Sequence, residues 1–166
     1  MRFAYADPPY YGMGQKMYGY PEWDEQARHV LLVQQLRNEY PDGWALSCNP
    51  RDLRWLLPVC PDDVRVCAWT KNYHRIRPSS AVQYAWEPVL LRGGRSVLRR
   101  NPLVRDWHNA ATPPRANWPG IPGAKPGTFC RWVLDMLGYD ADQDELIDLF
   151  PGSGIMGAAA AQGVLV

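Results

Sequence analysis

The sequence predicts an α/β protein in which a single sheet is covered on both faces by helices. Three observations carry that prediction. Short apolar runs recur at 3–7, 44–48 and 64–69. Between the first two, 24–40 has the apolar spacing of a helix instead of the alternation of a strand. Proline closes the first two runs, as Pro8-Pro9 and as Asn49-Pro50. The resulting order of strand, helix, strand, helix, strand suits a sheet with crossover connections.

Each element has its own warrant. Residues 3–7 read as a buried strand stopped by proline, and 12–21, rich in Gly and Tyr, as a surface loop. In 24–40, Ala27, Val30, Leu31 and Leu36 fall near one face, with Asp24 as N-cap. Pro41-Asp42-Gly43 ends that helix, and 44–48 is the next strand. Asn49 caps a short helix through Leu57 with Pro50 in its first position. Residues 64–69 are apolar and β-branched, hence a strand. A further strand is expected at 84–91, and loops with one short element at 96–122. The helix at 128–137 shows Phe129, Trp132, Val133, Met136 and Leu137 on one face, with Gly138 at its end. A short strand at 146–150, a tight turn at 151–154 and an Ala-rich helix at 155–162 complete the chain.

With 166 residues and 46% hydrophobic content, the chain suits one domain with one core and not a disordered polymer. A net charge of +1 gives no whole-molecule attraction to polyanions. The charge is uneven, however: 71–115 holds Lys71 and eight arginines against Glu87 and Asp106. Four cysteines without Cys-x-x-Cys spacing, and no apolar leader at the N-terminus, read as buried free thiols in a reducing cytosol. The three histidines are scattered and pair with no cysteine at ligand spacing, so no metal site is expected. No apolar run is long enough to span a bilayer. Trp23, Trp44 and Trp69 are expected to be core or packing residues.

Two motifs carry chemistry. Asp7-Pro8-Pro9-Tyr10 places an acid, a rigid backbone and an aromatic face at the end of the first strand. Asp148-Leu-Phe-Pro-Gly-Ser-Gly154 leads from a strand through Gly-x-Gly into a helix, a geometry that suits the anionic part of a nucleotide-like ligand. Alone, the Gly-x-Gly stretch reads better as a structural turn, and prolines such as Pro8-Pro9 commonly just stop a strand. Both at the ends of short apolar strands in one chain point to a shared site.

On these residues the sequence resembles the phage-encoded DNA N6-adenine methyltransferases, amino-methyltransferases that use S-adenosylmethionine. Asp7-Pro8-Pro9-Tyr10 is similar to their catalytic motif, and 148–154 to their cofactor loop. Lys125-Pro126 with Phe129 and Trp132 is similar to the segment before that loop. Further stretches extend the resemblance over nearly the whole chain: GWALSC at 43–48, WTK at 69–71, WEP at 86–88, RDW at 105–107 and GAKP at 123–126. The motif order, catalytic first and cofactor last, resembles the circularly permuted class. The resemblance implies a Rossmann-like fold, permuted and shortened, forming one domain over 1–166, with 71–122 as a small nucleic-acid-facing insertion.

It also implies roles. Asp7 and the Pro8 carbonyl would accept the amine N–H bonds of adenine, Pro9 would fix the turn, and Tyr10 would stack on an extruded base. Asp148, Phe150, Pro151, Gly152, Ser153 and Gly154 would surround the cofactor, with Asp148 on its ammonium group. Lys125 would either approach the cofactor carboxylate or face solvent, and Phe129 would wall the pocket or belong to the core. Lys71, Arg75, Arg77, Arg95, Arg99 and Arg100, interleaved with aromatics, would contact DNA phosphates or form a solvated loop. In the wider superfamily the strand after the glycine loop ends in an acid that holds the cofactor ribose. Residues 163–166 would begin that strand with no acid following, so the ribose is held by another group, or cofactor binding is weakened, or the protein has lost it, and the open sheet edge is expected to be covered in a homodimer. A methyltransferase-like effector that binds nucleic acid or a host protein remains the alternative, and N4-cytosine transfer a second one, against which Asp7 tilts the choice. A phage enzyme of this kind would act in the host cytoplasm.

Overall fold

In the computed structural model, residues 1–72, 78–96, 103–111 and 124–162 are described. Strand β1 (Arg2–Ala6) lies inside the sheet, parallel to β2 (Gly43–Ser47) on one side and to β6 (Glu145–Asp148) on the other. The six strands run in the order β5-β3-β4-β2-β1-β6. Here β3 is Arg65–Thr70, β4 is Trp86–Gly93 and β5 is Trp107–Asn109. Only β4 runs against its neighbours, β2 and β3. Residues 86–93 and 107–109, within 71–122, are thus strands of this same sheet.

Helices cover both faces, and the period of two along β1 divides its side chains between them. Phe3 and Tyr5 join the core beneath α3 (Gly127–Leu137) and α4 (Ile155–Ala161). Ala4 and Ala6 join the opposite core with Trp44, Leu46 and α1 (Gln26–Glu39). A strand buried on both faces has no polar side to show, which is why this segment reads as a continuous apolar run. Trp44 and Leu36 are fully buried, and each such side chain contributes roughly 1.5–3 kcal/mol of transfer free energy.

The caps follow the sequence in two places and depart from it in one. Asn49 accepts a hydrogen bond from the Arg51 amide at 3.0 Å and starts the helical run 50–59, which includes α2 (Leu53–Leu56). Gly138 ends α3 in the left-handed conformation, φ 65°. Asp24, however, does not cap α1. Its carboxylate accepts instead from the amides of Gly14 and Gln15, 2.7 and 3.1 Å away. These open a π-helical turn, Gly14–Tyr18, where the sequence predicts only loop. A side chain at Gly14 would overlap the Tyr20 carbonyl and come within 2.9 Å of Trp23 Cβ, so glycine is what lets this turn fold onto Pro21–Asp24.

The buried face of α1 also differs from the expected one. His29, Leu32, Val33 and Leu36 are buried, whereas Ala27 and Leu31 are exposed. The run Val30-Leu-Leu-Val33 is apolar around much of the helix, so its spacing alone does not fix the inward face. All four cysteines are free and buried. No helix among the described residues is long and apolar enough to cross a membrane.

Candidate active site

Topology brings four charged residues to one edge of the sheet. Asp7 follows the carboxyl end of β1, Asp148 ends β6, and Lys71 follows β3. Because β4 is antiparallel, its beginning lies at this same edge, with Glu87 opposite Trp69 in register. Lys125, just before α3, is nearly fully buried among them.

Lys125 Nζ donates to both oxygens of Asp7, at 2.8 and 2.7 Å, and to the Tyr10 hydroxyl at 3.3 Å. The Tyr10 hydroxyl donates to Glu87 Oε2 at 2.8 Å. Lys71 pairs with Glu87 Oε1, and Lys125 lies 3.7 Å from Glu87 Oε2. The Lys71 ammonium also sits 4.4 Å from the centre of the Trp69 ring. Two carboxylates and two ammonium groups are therefore balanced in a part-buried cluster, the condition under which such charges are tolerated.

The ionisation of these groups reflects that balance. Burial pushes the Asp7 carboxyl up, and the adjacent Lys125 ammonium offsets only part of this. Burial would also raise Glu87, yet Lys125 and Lys71 together hold it below its ordinary value. Burial disfavours the charged form of Lys125, but Asp7 and Glu87 hold its pKa above the usual lysine range. Tyr10 is pushed well up by burial and by Glu87, so its hydroxyl remains protonated.

Asp7 borders three cavities. One, of about 650 Å³, lies between Pro9, Trp23, Arg28 and Phe150. A second, of about 80 Å³, is lined by Lys125, Asp148, Gly152 and Ser153. The third, of about 170 Å³, lies between Pro8, Tyr10, Trp69, Lys71 and Glu87. Tyr18, on the π-helical turn, borders all three. Asp148 accepts from the Phe150 amide at 3.2 Å, and burial pushes its carboxyl up. Among the described residues no ion pair neutralises it. Gly152 and Gly154 have φ of 43° and 74°, the conformations through which the chain turns from β6 into α4.

Most of the expected site residues converge here, but several sit differently. Lys125 neither faces solvent nor stands with the cofactor loop alone: the opposed charge of Asp7 draws it inward to the wall shared by two cavities. Phe129 is fully buried and packs edge-on against Tyr5, because its helical position faces the core. Lys71 is expected on a DNA-facing surface, yet Glu87 and the Trp69 ring turn it into the site. Arg95 lies at the opposite end of the sheet, where it pairs with Asp144 at 2.6 Å and donates to the Gly138 carbonyl at 3.2 Å. Arg75, Arg77, Arg99 and Arg100 lie outside the described residues, as do 163–166. Sequence reading gives Glu87 no role beyond the WEP stretch at 86–88, and it covers Tyr18 only as part of the 12–20 loop, a second candidate for gripping a base. For Glu87 a signal existed, an acid placed directly before the apolar Pro-Val-Leu-Leu run of a strand.

Sheet order, two-faced helical cover and a site at the carboxyl edge define a Rossmann-like α/β fold, which the chain shares with solved structures. The particular solved structures it is similar to include M1.HpyAVI in complex with SAM, 20% identical, with a TM-score of 0.54 over 96% of this chain and 77% of that one. M1.HpyAVI is also matched in a second structure, at 16% identity and a TM-score of 0.58, over 96% of this chain and 75% of that one. No protein-family model and no curated protein sequence matches the chain.

Proposed function

We propose that this protein is an S-adenosylmethionine-dependent methyltransferase acting on the N6 amine of adenine in DNA. The observation that carries the reading is the position of Asp7, which borders both the cavity of the glycine loop and the cavity between Tyr10 and Trp69. A group bound in one is thereby placed beside a group bound in the other.

The residues present fit the cofactor. Asp148 is a desolvated carboxylate without a cationic partner among the described residues, which suits an ammonium group. The adjoining 650 Å³ cleft is wide enough for a nucleoside and has aromatic and aliphatic walls. When bound, S-adenosylmethionine supplies a methyl group already activated on sulfonium sulfur.

The protein then has to present the amine. An exocyclic amine on an aromatic ring is a poor nucleophile, because its lone pair is delocalised. Asp7 and the Pro8 carbonyl accept its two N–H bonds and favour the pyramidal form that attacks. The proline pair fixes these acceptors before substrate arrives. Tyr10 offers a face to a base taken out of the stack. Reaction is then governed by in-line positioning, and the methylated amine, now a strong acid, would release its extra proton to the Asp7 carboxylate that accepts from it or to water. The motif order, with Asp7 first and 148–154 last, fits a permuted member of this fold.

The test is calorimetric titration of the protein with S-adenosylmethionine, followed by digestion of incubated DNA and mass analysis. Binding together with N6-methyladenine is the expected result. No binding and no methylated base would overturn the reading and favour a non-enzymatic effector.

A further inference from the structure

We propose that Glu87 is a positioning residue for the transfer: it shares Lys125 with Asp7, so that Asp7 can give an oxygen to the incoming amine without stranding a buried ammonium. This rests on the function proposed above. Both Asp7 oxygens accept from Lys125, which lies against them and draws on their negative charge, so a substrate amine has to share each oxygen with that ammonium. For Lys125 to yield, another anion must stand close by. Glu87 Oε2 is 3.7 Å away, and a movement of roughly 1 Å, the difference from 2.7 Å, would convert that contact into a hydrogen bond.

Glu87 is built for that part. Lys71 holds Oε1, which leaves Oε2 directed at Tyr10 and Lys125. The same oxygen anchors the Tyr10 hydroxyl, so the aromatic face and the acceptor are set by one carboxylate. Without Glu87, moving Lys125 off Asp7 would leave an uncompensated charge, which the site tolerates poorly.

Other ionisable groups around Asp7 are Tyr5 on β1, Tyr18 on the π-helical turn, Cys48 after β2, Cys130 on α3 and Asp148 on β6. Burial raises the two tyrosines and two cysteines, so they remain neutral. Asp148 alone among these five adds a like charge. Glu87 itself raises the Asp7 carboxyl. Its neutralisation therefore lowers the midpoint at which Asp7 titrates.

The experiment follows the Asp7 carboxyl carbon by NMR across pH in the full chain, alongside cofactor titration and methyl-transfer kinetics. For Glu87→Gln the expected results are a lower Asp7 midpoint, unchanged cofactor affinity and a kcat reduced roughly 10- to 100-fold. Glu87→Asp should restore the midpoint in part. An unchanged midpoint overturns the proposal, as does a lowered midpoint with undiminished kcat. Should Glu87→Gln fail to fold, Lys71→Met frees Glu87 to draw Lys125 harder and should raise the midpoint; no rise overturns the proposal. A wild-type chain that neither binds S-adenosylmethionine nor methylates overturns the function itself and the positioning role with it. A midpoint shift in that protein would show the charge coupling separately.

Discussion

Each end of the sheet carries a carboxylate paired with positive charge, and the two clusters are built differently. At the end where β1 and β6 begin, Asp144 accepts from the N-terminal ammonium of Met1 at 2.7 Å, from Arg95 at 2.6 and 2.7 Å, and from the Asp140 amide at 2.8 Å. Burial would raise this carboxyl, yet the N-terminus and Arg95 hold it down to about 2. At the other end, Asp7 has one ammonium, shared with Glu87, and its carboxyl remains raised. Asp144 has more cationic partners than its charge needs; Asp7 is held near balance and opens onto three cavities. An oversatisfied carboxylate clamps the chain, while a balanced one beside a cavity has acceptor capacity to give to a ligand.

That contrast can be broken most directly at Asp7. Asp7→Ala should reduce methyl transfer by roughly 10²–10³-fold or more while largely sparing cofactor affinity, measured by single-turnover assay and calorimetry. Unchanged turnover would remove the distinction between the two ends. Next in size, Asp148→Ala should weaken S-adenosylmethionine binding about 10- to 100-fold, the loss of a charge-assisted hydrogen bond, with little change in Tm.

Asp144→Asn should act on stability and not on binding, costing roughly 1–2 kcal/mol at pH 7 in urea unfolding, with solvent screening allowed for. Because the folded-state carboxyl is depressed, its stabilisation is complete above the unfolded value of about 4 and is lost as pH falls to about 2. The difference between variant and wild type should therefore shrink steeply toward pH 2 and vanish below it. The smallest effect is expected at Asp52, where burial raises the carboxyl to about 6 in spite of nearby Trp55, Arg54 and Arg51. A raised folded pKa has the opposite sign: stability declines as pH rises from about 4 through about 6. Asp52→Asn should flatten that decline in denaturation curves taken at pH 5 and pH 8.

The strands of the site were legible because their signals are local. Proline after β1, Asn49-Pro50 after β2 and the glycine turn after β6 each punctuate an apolar run within a few residues. The inward face of α1 was not, since its apolar residues extend around the helix and only packing against Trp44 and Leu46 selects among them. The roles of Lys71 and Lys125 were hidden for another reason. A lysine reads as a surface or phosphate-binding charge until its counter-ion is known, and the partners lie 16 residues away for Lys71 and 118 for Lys125. Antiparallel β4 brings Glu87 to Lys71, and this pairing depends on the sheet and not on the local sequence.

The attachment of Asp24 has a consequence for the shape of the site. Tyr18 roofs all three cavities from a turn whose first two amides are tied to one carboxylate. Gly12 and Gly19 flank that turn, both with φ of 77° and open space around them. Asp24 thus holds the start of the turn from which Tyr18 reaches the cavities, alongside the backbone bonds from Tyr20 to Gly14 and from Gly19 to Gln15. A carboxylate that precedes α1 in the chain thereby sets the wall that three cavities share.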